Sequence, residues 1–240
     1  MRGSGPVDPA GNRGLSFTPD GKVERQWPES FRDGMESDQT ITRLWLVRHG
    51  QPNVQVEGRC YGSVDVGLSP EGRRQIGRVA ARLANASLKV IYHSIRRRAF
   101  ESAELIASHG SVSMIALEEL REIDFGAFEG LTYEEIENRY PALYRRWMES
   151  PTEIEFPNGE DFPAMRQRVL ETVHHLRQAH AGESIAILAH GGVNRILLAD
   201  ALEMPPGKIF RIGQAYAAVN RIDYIGKEPL VEKLNECWYE

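Results

Sequence analysis

Two short segments of this chain repeat one design. At Arg48-His49-Gly50 an apolar run ends in a histidine followed by glycine, and at Ala189-His190-Gly191-Gly192 a second apolar run does the same. Loops beyond the carboxyl ends of strands are where open α/β sheets bind ligands. Gly50 lets the backbone turn sharply and approach such a ligand. After His190 the run Val193-Asn194-Arg195-Ile196-Leu197-Leu198 reads as a helix. The start of that helix offers free N–H groups and a partial positive charge, which suit an anion. One such histidine is ordinarily a surface or core residue. Two in one chain can face a single crevice of a parallel sheet.

Two further segments carry charge. Ser94-Ile95-Arg96-Arg97-Arg98-Ala99 follows an apolar run and opens a helix. Taken alone it is a solvated helix start. Cations at a helix N-terminus oppose the dipole, however, so at least one of these arginines is predicted to have an anionic partner. Leu120-Arg121-Glu122-Ile123-Asp124-Phe125-Gly126-Ala127-Phe128-Glu129-Gly130-Leu131-Thr132 is a Gly-punctuated loop with acidic and aromatic residues. By itself it reads as a solvated connection.

The elements that must position these groups follow from apolar patterning. Residues 41–47, 90–92, 112–116 and 184–189 are short apolar runs read as strands, with later strands at 217–224 and 230–234. Ser69 is an N-cap with Pro70 in the first turn of a helix to about residue 83. Further helices are predicted over 98–109, 133–140, 142–148, 162–180 and 193–201. Strands alternating with helices predict one α/β domain over residues 40–240. Its architecture is three-layer α/β/α with a mostly parallel central sheet. Residues 1–39 are rich in Gly, Pro, Ser and charge and read as a disordered or vector-derived N-terminal extension.

Composition narrows the class. The chain has 240 residues, 41% of them apolar, and a net charge of −5. That balance argues against nucleic acid as a partner, although a locally positive pocket is compatible with an acidic chain. Cys60 and Cys237 read as free thiols of a reducing compartment. No run approaches the roughly 20 apolar residues a bilayer span needs, and no signal-peptide stretch is present, so a cytoplasmic location without membrane partners is expected. The sequence does not fix the oligomeric state, and a homodimer is the assembly kept open.

In this order the four segments resemble the histidine phosphatase superfamily, which includes cofactor-dependent phosphoglycerate mutases. The resemblance covers about residues 42–224 and implies a phosphoglycerate mutase-like fold. The family's Arg-His-Gly signature stands at Arg48-His49-Gly50, its Ser-x-x-x-Arg-Ala arginine at Arg98, its acid at Glu122 and its second histidine at His190. Two positions depart from the pattern. Pro52 replaces a common Ser or Thr and Gln55 a common Asn, which leaves Asn53 as the polar residue for the phosphate there.

The resemblance implies that His49 attacks phosphorus and forms a phosphohistidine. Arg48 and Arg98 neutralise the phosphoryl charge with planar donor forks. His190 donates to the transferred group, and Glu122 acts as acid and then base. Arg48, Asn53, Arg98, His190 and Gly191 are the expected substrate-binding residues. The expected partner is a small phosphorylated metabolite, with neither metal nor cofactor needed. Gly191-Gly192-Val193-Asn194-Arg195 looks like the phosphatase branch, and the 120–130 and 157–160 segments resemble alpha-ribazole and broad-specificity phosphatases. A mutase is the runner-up, and a non-catalytic anion-binding scaffold is the alternative of another class. Specificity is expected in segment 133–161, a helical lid. Its aromatics Tyr140, Tyr144, Trp147 and Phe156 either pack on the core or meet an apolar substrate moiety.

Overall fold

A computed structural model describes residues 40–238 together with the short strands Leu15–Phe17 and Val23–Arg25. The chain divides into two units, Met1–Thr40 and Ile41–Glu240. In the first, Leu15–Phe17 pairs antiparallel with Val23–Arg25. The expectation of an extension over 1–39 otherwise lies outside the described residues.

The second unit is built on six strands: β1 (Ile41–Arg48), β2 (Leu88–Ser94), β3 (Ser113–Leu117), β4 (Ser184–Ala189), β5 (Val219–Ile225) and β6 (Glu228–Glu236). They lie in the order β3-β2-β4-β1-β5-β6. The pairs β1/β4, β2/β4 and β2/β3 are parallel, while β1/β5 and β5/β6 are antiparallel. The sheet is therefore mixed, with its two antiparallel pairs at one side.

Six helices connect the strands: α1 (Pro70–Leu83), α2 (Arg97–Gly110), α3 (Tyr133–Arg139), α4 (Pro141–Glu149), α5 (Phe162–Ala179) and α6 (Gly191–Ala201). Their starts are chemically specified. The Ser69 hydroxyl accepts the Gly72 N–H ahead of α1, and Asp161 accepts the Ala164 N–H ahead of α5. Thr132 and Glu135 form a reciprocal capping box at α3.

Alternation along β1 shows why three layers form. Leu44 and Leu46 belong to one buried cluster, which gathers side chains of α3, α4, α5 and α6. Trp45 and Val47 belong to the other, with side chains of α1 and α2. A strand covered on both faces must be apolar on both, and β4 is buried at all six positions. Among the described residues no helix is long and apolar enough to cross a membrane.

Parallel pairing brings the strand ends together. Arg48 pairs in register with Ala189, so the residues after each, His49 and His190, emerge side by side at one edge. Ser94 ends β2 at the same edge.

Candidate active site

Each carboxyl end of the four parallel strands feeds one cavity. It measures about 500 Å³ and is lined by Arg48 at the end of β1, His49 just after it, Arg98 after β2, Glu122 after β3 and Gly191 after β4. The imidazole rings of His49 and His190 lie 5.3 Å apart between centroids. Both rings are buried, and so is the whole of Arg98.

Hydrogen bonds set the roles available to the rings. His49 Nδ1 lies 2.7 Å from the Gly50 carbonyl oxygen. A carbonyl only accepts, so Nδ1 carries the proton and Nε2 keeps its lone pair. Burial first, and then the cations of Arg98 and Arg48, hold the pKa of His49 well below the ordinary histidine value. The ring is thus a neutral imidazole with a free nitrogen. His190 is lowered in the same way, by burial, Arg98, His49 and Arg48 in that order, with Arg96 behind them. Its Nε2 is 2.8 Å from Ser94 Oγ, which accepts the Arg96 N–H. Either atom can be the donor of that bond, and where Ser94 donates to Nε2 the His190 proton sits on Nδ1. Nδ1 is buried with no hydrogen-bond partner among the described residues.

Both arginines are anchored by backbone carbonyls. Arg98 Nη1 and Nη2 donate to the Val64 and Gly62 carbonyls at 2.9 and 2.8 Å. Arg48 Nη1 donates to the Gln214 carbonyl at 2.5 Å. The Nε of each is buried without a partner, and neither forms an ion pair with a carboxylate among the described residues. Guanidinium groups held at their tips, with N–H donors left over, are suited to bind an oxyanion. The anionic partner predicted for the arginine triplet is found on Arg97, whose Nε meets Glu101 at 2.7 Å.

Glu122 is fixed by the backbone, its Oε2 accepting the Gly192 N–H (3.0 Å) and its Oε1 the Ile123 N–H (3.1 Å). Two glycines permit the close approaches here. A Cβ on Gly192 would strike Glu122 Oε1, and a Cβ on Gly50 would strike the Gly72 carbonyl in the first turn of α1.

Two expected residues are absent from the cavity lining, His190, which is fully buried and edge-on to the His49 ring, and Asn53. Asn53 Oδ1 accepts the Gln55 N–H and caps a short 3-10 turn at Val54–Val56. Sequence reasoning also passed over several residues that the fold brings in. Arg195 and Arg59 add two cations to the lining. Tyr61 and Tyr216 share a hydroxyl hydrogen bond of 2.8 Å. Arg48 lies over the Tyr216 ring (4.2 Å) and Arg98 over that of Tyr61 (5.1 Å). Arg195 stands five residues after His190, one turn beyond the Gly191 that opens the helix, and that spacing was the available signal.

The opposite wall is apolar, with Phe125, Tyr133, Trp147, Phe156, Phe162 and Phe210 among its residues. Segment 133–161 therefore borders the cavity as expected. Within it Trp147 and Phe156 face the cavity, whereas Tyr140 and Tyr144 pack against the core.

Known proteins agree with this geometry. The chain is 29% identical over 195 residues to phosphoserine phosphatase 1 of Hydrogenobacter thermophilus, covering 81% of this chain and 92% of that one. The solved structure of YhfR from Bacillus stearothermophilus superposes with a TM-score of 0.76 at 32% identity, over 80% of this chain and 96% of that one. The alpha-ribazole phosphatase of Shigella flexneri gives 0.74 at 28%, over 81% and 96%. Such relatives support a phosphatase. The model of the histidine phosphatase superfamily, branch 1, matches residues 44–237, and with two histidines and two arginines joined at the strand ends the chain belongs to that family.

Proposed function

We propose that this protein is a metal-independent phosphomonoester hydrolase that works through a phosphohistidine on His49. The observation that carries the reading is a neutral His49 ring that lines a cavity together with Arg48, Arg98 and Glu122 and meets the buried His190 ring at 5.3 Å.

The phosphoryl group binds between the two arginine forks, with His190 Nδ1–H as a further donor. Nε2 of His49 attacks phosphorus as the P–O ester bond breaks, and protonated Glu122 gives its proton to the departing oxygen. A water then attacks phosphorus, Glu122 takes its proton, the N–P bond breaks and inorganic phosphate leaves. The arginines carry the charge stabilisation that Mg²⁺ provides in other phosphoryl-transfer enzymes.

The apolar wall supports a small phosphorylated metabolite with an apolar or aromatic moiety. Alpha-ribazole phosphate and a broad range of organic esters both fit that description. Release of phosphate from p-nitrophenyl phosphate in the presence of a chelator tests the reading. Turnover unaffected by the chelator is expected. Transfer of phosphate between positions of phosphoglycerate with little free phosphate would indicate a mutase, and no turnover at all would indicate a binding protein.

A further inference from the structure

The loop segment 120–132 contains a second glutamate that the hydrolytic mechanism leaves unused. Glu129 sits seven residues beyond Glu122 and does not line the cavity. Its carboxylate nevertheless gathers four backbone donors. Oε1 accepts from Gly62 (2.9 Å), Ser63 (2.7 Å) and Phe125 (3.1 Å), and Oε2 from Gly62 (3.0 Å) and Val64 (3.2 Å). Three successive N–H groups converging on one anion form a concave backbone nest.

The same loop also holds the site arginine. The carbonyls of Gly62 and Val64 are the two acceptors that hold Arg98. The Gly62–Ser63 peptide bridges the two charges directly, its N–H on the Glu129 carboxylate and its carbonyl on the buried guanidinium, and the Val64 residue donates to one and accepts from the other. No carboxylate pairs with Arg98 directly among the described residues, so this bridge is its anchor. The approach is tight. A Cβ on Gly62 would strike the Ile123 carbonyl and press on Glu129 Oε1. Glu129 also contributes favourably to the charge of Arg98.

We infer that Glu129 is a positioning residue for phosphoryl binding: it shapes the 62–64 loop, and the loop's carbonyls aim Arg98 into the cavity. The inference rests on the phosphatase reading for its chemistry but not for its test, which reads binding of inorganic phosphate. Glu129→Gln keeps one acceptor and turns an NH₂ group toward backbone N–H groups, donor against donor. Titration calorimetry of the full chain with inorganic phosphate is expected to show about 10-fold weaker binding in Glu129→Gln, with kcat/KM for p-nitrophenyl phosphate down about 10- to 100-fold. In an Arg98→Ala background the same change should alter phosphate affinity less than about 3-fold, because the group being positioned is gone. Glu129→Asp keeps the charge on a shorter stem, guards against simple unfolding of the Gln variant, and should fall between wild type and Gln. Phosphate affinity unchanged in both variants would overturn the inference. So would equal losses with and without Arg98, which is the signature of a general structural role. If wild type binds phosphate with this dependence yet hydrolyses no ester, the phosphatase reading fails and the positioning role stands.

Discussion

Gly192→Ala is an ordinarily mild substitution with an unusual expected outcome. Gly192 lies in the first turn of α6, where alanine is the better helix former by about 0.5–1 kcal/mol. Stability should therefore hold to within about 1 kcal/mol of wild type. The added methyl, however, falls on Glu122 Oε1, with Met165 Cε also within 3.0 Å. Restoring ordinary contact pushes the carboxylate away by roughly 1 Å, and a misplacement of that size costs on the order of 100-fold. The loss should depend on the leaving group. An alkyl oxygen needs a proton as it departs, whereas nitrophenolate leaves without one. The assay is kcat/KM, which reports events up to the first departure, on β-glycerophosphate and p-nitrophenyl phosphate in parallel. We expect about a 100-fold fall for the alkyl ester and less than about 5-fold for the nitrophenyl ester. Equal losses on both esters, or none on either, would refute the placement of Glu122 as the acid.

Three other outcomes are expected from the same geometry. Arg98→Lys supplies a single ammonium where a fork bridges the Gly62 and Val64 carbonyls and the phosphoryl group, so kcat/KM should fall about 100- to 1,000-fold in steady-state assays. Trp147→Ala removes a buried ring packed on Phe125, Phe128, Tyr133 and Phe156, and denaturant titration should show a loss of about 3–5 kcal/mol together with a raised KM for aryl esters. His49 and His190 are held neutral in the fold, while an unfolded histidine titrates near 6.5. Below that pH, and above the depressed folded values, the unfolded chain binds more protons. Stability is then full above about 6.5 and falls as pH drops, by up to about 1.4 kcal/mol per pH unit for each histidine. The double variant His49→Gln/His190→Gln should have a flatter stability profile between pH 7 and 5, and an unchanged slope would contradict the burial argument.

What was legible in the sequence was local. The run 184–189 is apolar on both faces, and it forms β4 with those bounds. The strand expected at 90–92 is longer, Leu88–Ser94, because backbone pairing with β4 and β3 continues past the apolar run to Leu88 and to His93 and Ser94. Helix α6 begins at Gly191, ahead of the expected 193, since Gly191 and Gly192 already take part in its first turn. Most of the candidate site could be located because each of those residues follows a strand or opens a helix, and a parallel sheet sends all such ends to one edge. Asn53 shows the limit, because whether a polar loop residue faces a ligand or its own backbone depends on the turn it caps. The Tyr61–Tyr216 pair and Glu129 were hidden for another reason. Tyr61 meets Tyr216 across 155 positions, and Glu129 meets Gly62 across 67, separations at which no periodicity in sequence carries information.

The most direct measurement is the site of covalent phosphorylation. Full-length protein is mixed with ³²P-labelled p-nitrophenyl phosphate, quenched in alkali within milliseconds to spare an acid-labile N–P bond, and mapped by mass spectrometry. The account expects the label on His49 alone, at a burst amplitude approaching one per chain, and none in His49→Ala. Label on His190, or undiminished labelling of His49→Ala, would contradict it.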